Sequence, residues 1–192
     1  MAITTLNNRA INRSDTAASG QLWTATSATA SDFQAAAAAG KIGQVLNVIK
    51  TDTFTLTGNS FQDVTDMTLT ITPAATSSKI LWTFCINGSS CDFGWYKVVY
   101  GDASALTTNS IADAAGSRQR AASSNITSAV HEQNAVTIMG LDAPSTTSAT
   151  TYKLQLCGIA SKTIYVNRAE TDTNNAQHGR GISTFTLMEV LA

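Results

Sequence analysis

The stretch that decides the fold runs from residue 135 to residue 156 and reads AVTIMGLDAPSTTSATTYKLQL. Two runs rich in β-forming residues, AVTIMGL and TTYKLQL, flank a loop of Pro, Ser and Thr, which predicts a β-hairpin. Val136 and Ile138 fall on alternating positions of the first run, as Leu154 and Leu156 do in the second. Alternation gives each strand one side that must be buried, so a second sheet has to cover it and the stretch predicts a β-sandwich.

The chain beyond residue 41 holds further runs of the same kind. They predict strands over 43–50, 67–72, 79–86, 93–100, 163–167 and 182–190. The third of these carries the bulkiest apolar stripe, formed by Ile80, Trp82, Phe84 and Ile86, and we place it near the middle of the core. About eight or nine short strands, without alternating helices, predict an all-β antiparallel sandwich with jelly-roll topology as the preferred form.

Three segments lack a strand pattern. Residues 87–92 are rich in Gly, Ser and Cys, whereas 103–134 and 168–181 are long and polar. Long loops in a compact domain are usually functional or ordered by a partner. We therefore predict loops at all three places, with no strand in 103–134.

The N-terminal arm, residues 1–40, differs from the rest of the chain because it is rich in Thr, Ser, Ala and Asn and poor in large apolar side chains. A short helix is predicted to begin at Ser31, which forms a capping box with Gln34, to run through five alanines and to end at Gly40. A helix this short is marginal without contacts, and a flexible linker is the alternative. We divide the chain into this arm and a sandwich domain, residues 41–192.

Composition limits the classes of function. The 192 residues suffice for one domain with a short appendage, charged residues make up 13% and the formal net charge is -1. Without a basic run, the chain lacks the electrostatic footprint of a nucleic-acid-binding protein. No apolar run reaches the roughly 18 residues of a membrane span, and Arg9, Arg13 and Asp15 occupy the place of a signal peptide's apolar core. We predict no nucleic-acid partner, no membrane insertion and a protein that stays on the cytoplasmic side.

The three cysteines, Cys85, Cys91 and Cys157, lack the dense, even pattern of a disulfide scaffold. We predict reduced thiols, with Cys85 and Cys157 in strands as small apolar residues. A zinc site joining them to His131 or His178 would need C-x-x-C or H-x-x-x-H spacing, which is missing. The sequence therefore predicts no metal and no other cofactor.

Three short matches to catalytic motifs fail. His131-Glu132 begins like a zinc-protease helix, but Ala135 stands where the second ligand is required. Ser183 resembles the nucleophile of a Gly-x-Ser-x-Gly elbow, but Phe185 replaces the last glycine and the segment is strand-like. The tetrapeptide GKIG lacks the spacing of a phosphate loop. The sequence predicts no catalytic residue and no enzyme.

Two sets of residues leave alternatives open. Carboxylate pairs for glycoside hydrolysis can be drawn from Asp92, Asp102, Asp113, Glu132, Asp142, Glu170 and Asp172. Of these, Asp102 and Asp142 fit turn capping. The aromatic set comprises Trp95, Tyr96, Tyr100 and Tyr165. Aromatic faces stack on sugar rings, although packing in a core or interface is their commoner use.

Several segments together resemble a known kind of protein. They are GKIGQVLNVIKTDTF, VTDMTLTITPAATSSKILWTF, GLDAPSTTSATTYKLQL, TIYVNRAETD and STFTLMEV. In this order they resemble the β-sandwich module of fibre and other virion structural proteins of tailed phages, in particular marine ones. The opening LNNRAINRSDTAASGQLWTATSATASDFQA resembles the N-terminal attachment segment of such proteins.

The resemblance implies a non-enzymatic virion protein that is assembled in the host cytoplasm. Such modules are usually homotrimers, so the expected partners are copies of the chain, other virion proteins bound through residues 1–40, and a host-surface glycan. In a tail or head fibre, the loops 103–134 and 168–181 would touch the host. The alternatives are a capsid decoration protein that clamps neighbouring capsid subunits and, less favoured, a polysaccharide depolymerase. The resemblance assigns no binding residue.

Overall fold

The computed structural model describes residues 21–25, 31–35, 41–90, 93–100, 104–105, 111–125 and 130–191. The chain divides into two compact units, Met1–Gly40 and Lys41–Ala192. Every helix or strand among the described residues is a β-strand, and every strand pair is antiparallel. The predicted all-β antiparallel class is confirmed.

The first unit contains a strand pair, β1 (Gln21–Ala25) and β2 (Ser31–Ala35), with Trp23 opposite Phe33 in the register. The helix predicted to begin at Ser31 is therefore wrong over Ser31–Ala35, and its remainder, 36–40, lies outside the described residues. A helix of about eight residues leaves most of its backbone groups without intrahelical partners. A ladder with β1 supplies partners to the same backbone without a costly helix nucleus.

The second unit is a sandwich of two sheets, with strands numbered in chain order. The first sheet contains β3 (Ile42–Lys50), β4 (Phe54–Thr57), β6 (Lys79–Ser90), β10 (Asn134–Asp142), β12 (Thr163–Val166) and β13 (Ser183–Val190). The second contains β5 (Gln62–Ile71), β7 (Gly94–Tyr100), β8 (Ser104–Ala105), β9 (Ser123–Asn125) and β11 (Thr150–Cys157).

Each predicted strand is present, but one extends into a predicted loop and three further strands were not predicted. Strand β6 continues to Ser90, into the predicted loop 87–92. Strands β8 and β9 lie within 103–134, where none was predicted, and β4 was not predicted either. These additions are short or polar, so they lack the apolar alternation that marks a strand in sequence.

The order of the strands is that of a jelly roll. Strands β10 and β13 pair with the same residues of β6 and therefore lie on its opposite edges. The first sheet has the order β3-β13-β6-β10, and β12 and β4 continue the lines of β13 and β3. The second sheet has the order β5-β11-β7-β9. Strand β8 pairs with the last residues of β7, and β9 pairs with its first residues. Early and late strands alternate in each sheet, as in two interlocked Greek keys.

This topology corrects the predicted hairpin of residues 135–156. Strand β10 pairs with β6 in the first sheet, whereas β11 pairs with β5 and β7 in the second, so the intervening loop crosses between sheets. The apolar sides of the two strands face one core. Tyr152 Oη donates a hydrogen bond to Asp142 Oδ2 at 2.8 Å near the crossing, so this carboxylate links the end of β10 to the start of β11. Burial and the Asp142 carboxylate raise the pKa of Tyr152.

The core lies where the strand pattern placed it. The stripe of β6 that contains Trp82 and Phe84 is at most 1% exposed, which confirms its central position, and the two rings stack with centroids 6.2 Å apart. Gly140 of β10 faces the Trp82 indole so closely that a Cβ at this position would collide with it. The glycine thus makes room for the large ring.

A buried asparagine holds the junction where β3 gives way to β4. Asn167 has a φ of 61°, a left-handed conformation that asparagine tolerates, and is fully buried. Its Nδ2 donates to the carbonyls of Lys50 and Asp52, both at 2.8 Å. Its Oδ1 accepts a hydrogen bond from Ser183 Oγ at 2.6 Å. The amide of Asn167, directly after β12, therefore joins the end of β3, the loop before β4 and the start of β13.

The two ends of the sandwich are built differently. At one end β3 begins beside Lys41, whose carbonyl accepts a hydrogen bond from the Leu191 N–H at 2.8 Å. There Glu189 accepts hydrogen bonds from the Ala74 N–H and from Gln44 Nε2. Burial alone would raise the pKa of Glu189, but the hydrogen bonds outweigh it and hold this pKa below its usual value. The opposite end contains the last residues of β3 and β11 and the first residues of β7 and β10.

Candidate ligand-binding cleft

The outer face of the second sheet carries charged and aromatic side chains. Asp63 of β5 accepts hydrogen bonds from Lys153 Nζ at 2.9 Å and Gln155 Nε2 at 2.7 Å, both on the neighbouring β11. Burial opposes ionisation of this carboxyl, but the two donors outweigh it and lower the pKa of Asp63. The network fixes the side chains that cover this part of the face.

A second contact lies beside this network. Lys97 Nζ is 4.1 Å from the centroid of the Phe61 ring, the distance of a cation–π interaction. Burial lowers the pKa of Lys97 and raises that of the adjacent Cys157 thiol. Cys157 is fully buried, so its thiol is a packing group here rather than a reactive one.

A cleft of about 340 Å³ opens at the edge of the second sheet's outer face, at the end of the sandwich where β7 begins and β11 ends. Its lining includes Asn59, Trp95, Ser117, Arg118, Gln119 and Ile159. Trp95 is half-buried and stacks on Phe93, with ring centroids 5.9 Å apart and an interplanar angle of 19°. Phe93 is itself 47% exposed, so the two rings form an aromatic platform beside the cleft.

Backbone hydrogen bonds tie together the two loops that form one wall. The Gly58 N–H donates to the Lys162 carbonyl at 3.3 Å, and the Gly158 N–H donates to the Gly58 carbonyl at 3.0 Å. Gly58 has a φ of 123°, which a residue with a side chain rarely adopts. This glycine therefore fixes the turn that presents Asn59 to the cleft.

The other wall is the segment 111–122, which the sequence left without structure. The Ala122 N–H donates to the Tyr96 carbonyl at 2.8 Å, and Arg120 Nε donates to the Ala112 carbonyl at 2.8 Å. Gln119 Nε2 reaches across to the Asn59 carbonyl at 3.2 Å. Together these bonds hold the segment to itself, to β7 and to the loop of Asn59 in the other wall.

Arg118 projects from this closed segment at the cleft. None of the ion pairs among the described residues involves its side chain. A guanidinium of this kind presents five N–H donors in a fork that matches a carboxylate. The cleft thus combines an aromatic platform, a guanidinium and amide groups, which are the groups that hold a sugar ring bearing an acidic substituent.

The aromatic residues singled out from the sequence have different surroundings. Tyr96 is fully buried, and Tyr100 packs against the buried Tyr152 with centroids 5.9 Å apart. The guanidinium of Arg168 lies 4.6 Å from the centroid of the Tyr165 ring on the first sheet. Of the four aromatic candidates, Trp95 lines the cleft and the others do not.

The residues weighed for catalysis are dispersed. Ser183 is a buried strand residue, as its segment predicted, and it bonds Asn167. Asp172 pairs with Arg180 at 2.7 Å and with Arg168 at 3.6 Å. Among the other carboxylates, Asp113 is exposed, Glu132 and Glu170 lie in loops, and Asp92 and Asp102 lie outside the described residues.

The two long predicted loops meet at one place. The rings of His131 and His178 stack with centroids 4.7 Å apart, and the Thr171 N–H donates to the Val130 carbonyl at 2.9 Å. This contact joins the end of segment 103–134 to loop 168–181, at the same end of the sandwich as the cleft. Cys85 and Cys157 are free thiols in β6 and β11, and Cys91 lies outside the described residues.

The described part of the chain holds no group of three or more side chains placed to bind a metal. Nor does it contain a helix with the length and hydropathy of a membrane span. No protein-family model and no curated protein matches the chain.

Proposed function

We propose that this protein is a non-enzymatic structural component of a phage virion, a trimeric fibre or spike module, whose sandwich binds a host-surface glycan. The cleft beside Trp95 is the observation that carries the binding role. Glycan sites need a flat apolar surface for the ring and polar groups for the hydroxyls, and the Trp95–Phe93 platform with Asn59 and Arg118 supplies both. The virion role rests on the sequence resemblance.

The cleft lies at a defined end of the sandwich, which can be compared with the position of Lys41. Residue Lys41, through which the arm joins the sandwich, lies at the end of β3 opposite to the cleft. A nine-residue strand spans about 30 Å, at roughly 3.3 Å per residue. Within the sandwich, the cleft and the paired loops 130–133 and 168–181 thus lie at the end opposite to Lys41.

Arg118 narrows the ligand class to glycans that contain an acidic sugar. An arginine–carboxylate pair is a directional, charge-assisted interaction, and its strength falls with added salt where it is exposed. A neutral glycan would gain the stacking on Trp95 but not this pair. Binding should therefore favour uronic or other carboxylated sugars and weaken as ionic strength rises.

The test is binding of the full-length protein to an array of acidic and neutral bacterial surface polysaccharides, followed by interferometry on the best ligand. Trp95→Ala is expected to weaken binding at least about 10-fold, because truncating a central aromatic removes most of its contact area. Arg118→Ala should reduce binding of acidic polysaccharides and leave neutral ones unchanged.

The matched control is Tyr165→Ala, which truncates a half-buried aromatic on the other sheet. It should bind as the wild type does. Equal losses for Trp95→Ala and Tyr165→Ala would point to general destabilisation, and wild-type binding by Trp95→Ala would remove the cleft from the proposed function.

A further inference from the structure

The outer face of the first sheet has a central region without charged side chains, which begins next to Lys79 of β6. Its outward side chains come from β10, β6, β13 and β3 and form cross-strand rows. The rows are Leu141–Leu81–Met188–Val45, Met139–Thr83–Thr186–Asn47 and Thr137–Cys85–Thr184–Ile49. We call these twelve residues the apolar face. A typical surface carries roughly 25–35% charged residues, so twelve neighbouring positions without one are unusual.

Large apolar side chains are openly exposed on this face. Met139 is 67% exposed, Val45 and Ile49 are each 55% exposed, and Leu141 is 37% exposed. Single exposed apolar residues are ordinary, but contiguous ones mark a surface that another surface covers. The first row is apolar across all four strands.

Three polar side chains in the middle row of the apolar face have partners within the sheet. Thr83 Oγ1 donates to the Ile138 carbonyl at 3.2 Å, and Asn47 Nδ2 donates to Thr186 Oγ1 at 2.7 Å. Burying a polar group is costly chiefly when it loses its hydrogen bonds. These three side chains keep their hydrogen bonds when the face is covered, which lowers the cost of removing water from the middle row.

The twelve residues form the central part of a contact surface. Four strands at about 4.8 Å spacing and five residues at roughly 3.3 Å give about 320 Å² of projected area per copy, or about 630 Å² for two copies. Specific interfaces begin at roughly 1,000–1,200 Å², so a stable contact has to extend beyond these twelve residues.

The edge of the face points to association as well. Strand β10 pairs with β6 along nine residues without a bulge, and among the described strands it pairs with no other. It contains neither lysine nor proline. Natural edge strands usually carry such residues or bulges as protection against pairing with another chain.

We infer that the apolar face is the surface through which copies of this chain associate. A partner with charges gains no complementary group here, whereas a second copy matches uncharged rows with uncharged rows. The inference names a contact surface for the oligomer of the proposed function, whereas glycan binding by the cleft does not depend on it.

The test is sedimentation analysis of the full-length protein across the micromolar range. The wild type should show a mass of two or three times 20.1 kDa. Met139→Lys places a charge at the most exposed position of the face and should raise the dissociation constant at least about 100-fold, because it would bury an unpaired ammonium. Circular dichroism should show an unchanged strand content, since this side chain is largely in water in the single chain.

Val130→Lys is the matched control, because Val130 is 42% exposed and lies in a loop away from the face. It should associate as the wild type does. Cys85 supplies a second readout, since it lies in the third row and is half-buried in the single chain. Its alkylation, mapped by mass spectrometry, should slow as the protein associates and should be restored in Met139→Lys. A monomeric wild type, or an oligomer that survives Met139→Lys with Cys85 unprotected, would overturn the inference.

Discussion

Replacing Trp82 with alanine is expected to lower the free energy of unfolding by about 3–5 kcal/mol. Trp82 is 1% exposed, stacks on Phe84 and fills the space that Gly140 leaves open. The glycine cannot fill the cavity left by the indole, so little relaxation can offset the loss. Denaturant titration of the two proteins gives the difference.

The same substitution at Trp95 is the control for this prediction. Trp95 lies on the outer face and is only half-buried, so Trp95→Ala should cost much less stability while it removes ligand binding. A change of less than about 1 kcal/mol for Trp82→Ala would show that the assignment of its face is wrong.

Asn167→Asp is expected to destabilise the sandwich by at least about 3 kcal/mol at neutral pH. The substitution keeps the shape of the side chain but removes both donors to the carbonyls of Lys50 and Asp52. It also buries a negative charge beside two carbonyl oxygens. These surroundings raise the pKa of the new carboxyl above the unfolded value, so the penalty should be largest above that raised pKa and shrink as the pH falls through it.

Asn174→Asp serves as the matched control, because Asn174 is exposed in the loop between β12 and β13. Its effect should stay within about 0.5 kcal/mol. Denaturant midpoints at two pH values measure both variants. If Asn167→Asp and Asn174→Asp unfolded alike, the buried amide would have no special part in joining β3 to β4.

Strand periodicity accounts for most of what the sequence predicted about the fold. Runs such as 79–86 alternate apolar and small or polar residues, and this alternation directly determines which side is buried. Pairing is different, because alternation says which side of a strand is buried but not which strand lies beside it. The stretch 135–156 was therefore placed correctly in two strands and wrongly in one hairpin. Seven residues between its strands, 143–149, are enough to cross a sandwich.

The error at Ser31 has a similar origin. A capping box and a run of alanines express local preference, which tertiary pairing readily overrides in so short a segment. The pairing partner, Gln21–Ala25, had no strand assigned to it. Without a partner strand, a local helix was the best prediction available.

The cleft was only partly predictable. Trp95 was selected as one of four aromatics, but Arg118 and Gln119 lie in a segment whose order comes from long-range hydrogen bonds to Ala112, Tyr96 and the loop of Asn59. Such bonds leave no periodic signal. The Gly58-Asn59 pair has the residue types of a tight turn, which is the one local sign in the sequence that this loop presents a side chain.

We propose that attachment belongs to the arm and ligand binding to the sandwich, so that the two roles lie in different parts of the chain. Deletion of Met1–Gly40 tests it most directly. The truncated protein should fold as a cooperatively melting β protein, since the arm's few apolar side chains contribute at most about 1.5–3 kcal/mol each. It should bind the same polysaccharide as the full chain with unchanged affinity.

The decisive measurement is the occupancy of added protein, full-length or truncated, on virions assembled without it. We expect full occupancy by the complete chain and none by the truncated one, because many identical arm contacts are lost together. Wild-type occupancy by the truncated protein would contradict this expectation, since the sandwich itself would then dock on the particle, and a capsid decoration role would replace the fibre role.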